Sequence, residues 1–244
     1  MKVAISRSPA DWLWLLPDHA LPGAFFMLVT AAYAMALPGF WRGEGAASGL
    51  DPIAHASLLF QRSASLVFYG LIAFLFMFRR ARVGPHSGLG PALVALAGAW
   101  GLGGLAVQPF LGPLSAPVGG SWVVGSPAQT LFTAAGGVVI AIGAVLGIVS
   151  LAYLGRCFGV FPEARGLVTR GPYRYVRHPL YLAEILGGVG STVTALSLAS
   201  VASLALFVVF QYLRAIYEER ALSAAFPEYT EYAQRTWRLL PGVH

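Results

Sequence analysis

Two short stretches carry most of the reactive chemistry in this sequence: RGPYRYVRHPLYLAE at residues 170–184 and RAIYEER at 214–220. The first crowds Arg170, Arg174 and Arg177, three tyrosines and His178 against the start of an apolar run. Pro179 suits the first position of a helix, where its missing N–H would be unpaired anyway, so His178 falls at the N-cap. The N–H groups that follow, with the helix dipole, make an anion site, and Arg177 and His178 add positive donors beside it. Tyr181 and Glu184 are three apart and share one face of this helix. Glu184 lies about a turn and a half into an apolar span, where an ionisable group is costly and its default reading is functional. In the second stretch Arg214 and Glu218 stand at i, i+4 on one face, with Glu219 and Arg220 at the boundary. An anion site and an acidic pair at one edge suit a zwitterion such as an amino-acid moiety, its carboxylate toward the helix N-terminus and its ammonium toward Glu218. The same residue types also build the ordinary basic and aromatic belt of a membrane protein. A structural ion-pair network closing the bundle is the competing reading.

The elements that must position these residues are apolar helices. Of 244 residues 57% are hydrophobic and only 11% charged, with a mean hydropathy of +0.69. A soluble domain carries roughly 25% charged residues, so the balance indicates a membrane protein. The net charge of +6 sits at the ends of apolar runs, which excludes a nucleic-acid partner and follows the positive-inside pattern. A single cysteine, Cys157, excludes an intramolecular disulfide and a Cys-rich metal site, and no metal is expected. Trp12 and Trp14 fit an interfacial anchor.

A span of about 30 Å of hydrocarbon needs about 20 apolar residues. Six segments qualify: Gly23 to Trp41, Ser57 to Phe78, Pro91 to Val107, Pro127 to Leu154, Pro179 to Leu196 and Ser200 to Glu219. The fold class is therefore all-α, a polytopic membrane bundle closed by a C-terminal helical hairpin. Arg62 in the second span is expected to face water or the bundle interior. Arginines follow the second, fourth and sixth spans, whereas residues 108–126 and the turn near Ser197 hold no charge. Six spans with both termini cytoplasmic satisfy this asymmetry and place the chain in the inner membrane of a bacterium. Glycines in the third to fifth spans let helices approach closely in lipid.

The pattern GPYRYVRHPLYLAE, an apolar hairpin, RAIYEER, FPEYTEYAQRT and LLP, over about Leu154 to Pro241, resembles the isoprenylcysteine carboxyl methyltransferase and phospholipid methyltransferase superfamily of integral membrane enzymes. The resemblance implies four acceptor-side spans in residues 1–153 and a methyltransferase core in 154–244. It implies that S-adenosyl-L-methionine binds at the cytoplasmic edge, contacted by Arg165, Gly166, Leu167, Val168, Tyr173, His178, Pro179, Leu180, Tyr181, Glu218 and Glu219. Arg177 and Arg214 would stand near the methyl acceptor, a lipophilic or small membrane-permeable molecule. The connector GRCFGVFPEARGLV is short beside that of the eukaryotic isoprenylcysteine enzymes, so a prenylated protein terminus is not implied.

A carboxylate or thiolate acceptor needs no general base and would be oriented by arginines, bidentately if it is a carboxylate. An amine acceptor must lose a proton, which makes Glu184 or Glu218 the candidate base. Two rival readings stay open: an NADPH-dependent, sterol-reductase-like membrane enzyme, and a non-catalytic membrane protein that retains the fold. The topology is directly testable. In a Cys157→Ser background, cysteines introduced at Ser87 and Ser115 should label from opposite faces of intact cells; labelling of both from outside contradicts six spans.

Overall fold

The computed structural model describes residues 21–44, 52–83, 88–100, 127–240 and 242. Those residues are mostly helical, with an isolated bridge between Val176 and Trp237 but no strand among them. In chain order the helices are α1 (Leu21–Trp41), α2 (Pro52–Phe78), α3 (Leu89–Trp100), α4 (Pro127–Leu154), α5 (Pro179–Thr194), α6 (Leu198–Ala225) and α7 (Tyr229–Arg235). Short 3₁₀ turns at Gly155–Cys157 and Gly171–Arg174 interrupt the connector between α4 and α5.

Four of these helices are long and apolar enough to cross a membrane: α1, α2, α4 and α6. The fourth span read from the sequence has the observed limits of α4. The third is described for 12 residues only, its expected continuation to Val107 lying outside the described residues, as do Trp12, Trp14, Ser87 and Ser115. The fifth is shorter than expected, with 16 residues, or about 24 Å. It ends because Ser197 and Ser200 exchange hydrogen bonds in a reciprocal capping box that starts α6 two residues earlier than read. At its other end α6 continues past Glu219 to Ala225, since the charged residues there find partners. Phe226 precedes Pro227 and takes an extended conformation (φ −132°, ψ 105°), which stops the helix.

Apolar side chains on α1, α2, α4 and α6 point outward, including Met35, Phe74, Val138 and Leu206, as a lipid-facing surface requires. Inside, Phe26 of α1 stacks on Phe76 and Tyr69 of α2, and Leu151, Phe158 and Leu180 complete this core. The arginine-rich connections meet at one edge of the bundle. Arg80 N donates to Arg156 O (2.6 Å), Val83 N to Ala164 O (2.6 Å) and Arg156 Nε to Phe78 O (2.7 Å). Gly171 makes the tight turn there at φ +59°, with the Tyr153 ring so near that a Cβ would lie 2.6 Å from it.

The closest helix contact is α4 on α5. A Cβ on Gly136 would lie 2.5 Å from Gly190 O, and one on Gly190 would lie 2.6 Å from Gly136 O. Backbone meets backbone here, so neither side can yield. Gly190→Val should destabilise the detergent-solubilised protein by about 1–3 kcal/mol or more. Gly187→Ala, on the same helix with nothing within 4 Å of the added carbon, should leave its melting temperature near wild type. Equal melting temperatures for the two variants would contradict this packing.

Candidate functional site

His178 is the N-cap of α5, as the proline implies, but its ring is not turned to the helix terminus. Its Nε2 lies 3.2 Å from Glu219 Oε1 and its Nδ1 lies 3.7 Å from Glu218 Oε2, so it sits between the two consecutive carboxylates. It also stacks flat on Tyr181, with centroids 5.2 Å apart and planes 1° from parallel. Glu219 also gathers two guanidinium groups. Arg177 Nε donates to its Oε1 (2.9 Å), and Arg238 clasps both oxygens through Nε (3.0 Å) and Nη2 (2.9 Å). The Glu219 carboxylate keeps Arg238 more firmly protonated than a free guanidinium, mainly by these hydrogen bonds.

Arg177 does a second job through Nη1, which donates to the carbonyls of Ala233 and Thr236 at the end of α7. Backbone bonds from Arg177 N to Trp237 O (2.7 Å), His178 N to Arg238 O (3.1 Å) and Trp237 N to Tyr175 O (3.0 Å) fasten the same join. Residues 236–239 thus form a strap across the start of α5. Nothing in the local sequence signals it, because it exists only when the chain closes on itself. Trp237 lies beyond the end of α7 and in this strap. Tyr232 donates to Tyr173 O (2.7 Å) and ties α7 to the connector.

Deeper along the hairpin is a second network. Arg214 does not face Glu218. Its Nη1 donates to Gln211 Oε1 (2.7 Å) and to Glu184 Oε2 (3.3 Å), and Gln211 Nε2 donates to the same Glu184 oxygen. The Arg214 guanidinium covers the Tyr181 ring at 4.5 Å. Gln211 is fully buried and was missed in the sequence, since a lone glutamine in an apolar helix carries no motif. Gly98 of α3 makes room for this network, because a Cβ there would fall 2.4 Å from Arg214 Cδ.

Two spaces flank this polar seam. A polar cleft runs between the connector, the start of α5 and the end of α6. Its two halves share Leu154, Cys157, Glu163, Tyr173, Arg177 and Glu218; one adds His178, Leu180 and Tyr181, the other Arg165, Gly166, Leu167, Val168 and Tyr229. Most of the residues expected at the cofactor therefore surround one cleft. Pro179 is buried behind it, and Glu219 lies on its far side, in an open groove with Arg177, Arg238 and α7. Arg165 bridges inward to Glu163 (2.8 Å) and Arg80 O (2.7 Å), which fixes the connector wall. Glu218 accepts from Tyr181 Oη (2.5 Å) and is the more exposed of the acidic pair, 28% against 14%. Burial pushes the Tyr173, Tyr229 and Tyr232 phenols well above their ordinary value, so they stay protonated. Among the described residues the Tyr173 hydroxyl has no hydrogen-bond partner. The second space is an apolar cavity of about 380 Å³ between α1, α2, α4 and α5, and Glu184 lines it. Arg214 lines neither space.

Residues 130–229, from α4 through the hairpin to the start of α7, match the phospholipid methyltransferase family. That family is part of the integral membrane methyltransferase superfamily, so the resemblance drawn from the sequence holds over this stretch. The cobalt-zinc-cadmium resistance protein CzcN of Cupriavidus metallidurans is 44% identical over 100 residues, 39% of this chain and 46% of that protein. The nickel-cobalt-cadmium resistance protein NccN of Alcaligenes xylosoxydans xylosoxydans is 38% identical over 80 residues, 32% of this chain and 37% of that protein. The matched stretch spans less than half the length of either relative. The stretch that matches the phospholipid methyltransferase model includes Arg177, His178, Tyr181, Glu184, Gln211, Arg214, Glu218 and Glu219, and stops short of Tyr232, Ala233 and the strap.

Both networks make stability predictions. Glu219→Gln leaves Arg177, His178 and Arg238 without their shared anion. Breaking a fully buried pair costs about 3–5 kcal/mol, and the partly open Glu219 should approach the lower end. Glu218→Gln should cost far less. Arg214→Ala strands the Glu184 carboxylate and should lower the melting temperature, with Glu184→Gln restoring part of it. An Arg214→Ala variant as stable as wild type would contradict the pairing.

Proposed function

We propose that the chain is an S-adenosyl-L-methionine-dependent methyltransferase acting on a lipophilic or small membrane-permeable acceptor at the cytoplasmic membrane edge. The observation that carries this reading is the meeting of two unlike spaces on α5. Tyr181 faces a polar cleft and Glu184, one turn on, lines an apolar cavity. A reaction between a zwitterionic cofactor and a greasy acceptor requires two such compartments with their ends together.

The chemistry of the cleft fits the cofactor. Glu218 offers a carboxylate to an ammonium, and Tyr173 offers a buried hydroxyl with no other partner among the described residues. Residues 165–168 and Tyr229 supply the remaining wall. Each half of the cleft has about 30 Å³ of free room, space for a water or two, so its walls must part to admit a nucleoside. Tyr229 and Tyr232 of α7 line one half of the cleft, and the hydrogen bond from Tyr232 to Tyr173 O ties α7 to the connector.

S-adenosyl-L-methionine supplies an electrophilic methyl group on a sulfonium. The protein's part is to hold the nucleophile in line at about 3–3.5 Å and to keep water out. Glu184 is placed to accept the proton of a hydroxyl, thiol or amine, and Gln211 and Arg214 fix its carboxylate. We assign Arg214 as a positioning residue for Glu184, and Arg177 as a positioning residue that holds Glu219 and the strap. Spans α1, α2 and α4 form the acceptor side. The two relatives are named for resistance to metals. Among the described residues no group of three or more His, Cys, Asp or Glu is placed to hold a metal ion, and the transfer proposed is to an organic acceptor.

Titration calorimetry on the purified protein tests the cofactor site. S-adenosyl-L-methionine should bind once per chain, and Glu218→Gln should weaken it roughly tenfold or more, the loss of a hydrogen bond to a charged group. Binding of NADPH in its place would favour the reductase reading and overturn this one.

A further inference from the structure

The apolar cavity has a charge at each end, and only one of them is balanced. At the near end Glu184 is neutralised by Arg214. At the far end is Arg62 of α2. Its guanidinium stacks over Phe40 (5.0 Å) and Tyr33 (5.6 Å), aromatic faces that leave its charge in place. Among the described residues it has no carboxylate partner, and its buried Nε has no hydrogen-bond acceptor. Measured along α2, Arg62 is about 24 Å from Phe78 at the arginine-rich edge, whereas Glu184 is about 8 Å in from Pro179 along α5. The rest of the lining carries no charge: it is mainly apolar, with Phe68, Ile140 and Ala144, and includes the polar side chains of Gln61, Ser65 and Ser191. The volume of about 380 Å³ is that of a small-molecule site. A guanidinium in a membrane interior is costly unless an anion or a water-filled path serves it.

We infer that this cavity binds an anionic amphiphile, with its carboxylate, phosphate or sulfonate group on Arg62 and its apolar body running toward Glu184. The far anion fixes how deep the molecule sits, and the near end then presents its other terminus at the seam between cavity and cleft. Charge decides the orientation: Arg62 attracts the anion, whereas at the near end Glu184 and Arg214 cancel and offer it no counter-charge. A protic group at the near end, a hydroxyl, thiol or amine, could hydrogen-bond to Glu184. Identifying this amphiphile as the methyl acceptor rests on the methyltransferase reading above; the binding itself does not.

The test uses the purified full chain in zwitterionic phosphatidylcholine nanodiscs without S-adenosyl-L-methionine. Decane-1-sulfonate and decan-1-ol are titrated calorimetrically against empty-nanodisc blanks. The sulfonate should bind once per chain and at least tenfold more tightly than the alcohol. Arg62→Gln should remove that preference, and Ala144→Phe, which fills the cavity, should abolish saturable binding of both. If Arg62→Gln does not fold, the wild-type preference and its loss in Ala144→Phe decide the matter. Equal affinity for acid and alcohol, a preference that survives Arg62→Gln, or sulfonate binding undiminished in Ala144→Phe overturns the proposal. In the first two cases Arg62 serves only the far headgroups. Failure of S-adenosyl-L-methionine to bind in the separate titration would remove the methyltransferase reading and leave this result standing.

Discussion

A carboxylate at a bilayer edge must be neutralised by partners that reach it from several elements, and Glu219 is where that constraint ties the molecule together. Arg177 comes from the entry to α5, His178 from its N-cap, and Arg238 from the strap near the chain's end. One carboxylate on α6 therefore sets the position of the α5 start, of α7 and of the strap. Its neighbour Glu218 is left facing the cleft, hydrogen-bonded to Tyr181 and partly exposed. Consecutive residues on a helix point about 100° apart. Two adjacent glutamates for that reason face different surroundings, Glu219 the ion-pair cluster and Glu218 the cleft.

The Glu184–Gln211–Arg214 network repeats the logic deeper in the membrane. A buried carboxylate without partners would be severely destabilising, and with them it becomes a fixed acceptor. The cost is a tightly specified surrounding, visible in Gly98, which permits α3 to cross over Arg214, and in Gly136 and Gly190, which bring α4 onto α5. The glycines of these spans thus act one step behind the chemistry: they set the distance at which polar side chains from separate helices can meet.

Much of this was legible in the sequence, and the exceptions have physical causes. Pro179 announced the start of α5, and the charge-free turn announced the hairpin, because both are local signals. Residues 165–168, Tyr173, Tyr181 and Glu218, which the family resemblance assigned to a cofactor, surround one cleft. The resemblance also grouped Arg177 and Arg214 near the acceptor, whereas the structure turns Arg177 to the strap and Arg214 to Glu184. Those choices depend on which carboxylate comes within reach after the helices pack, which spacing along one helix does not show. Gln211 and the strap were illegible for the same reason. Arg62 was expected to face water or the interior; it lines the interior cavity, and its aromatic partner Tyr33 lies on another helix.

The most direct measurement of the central claim is product detection. Purified protein is incubated with methyl-labelled S-adenosyl-L-methionine and a membrane lipid extract, and extracted products are analysed by mass spectrometry. A labelled, extractable product should form, and its formation should be lost in Glu184→Gln and Glu218→Gln, with both variants still folded. A product formed equally by both variants, or no labelled product from wild type that binds S-adenosyl-L-methionine, would contradict that claim.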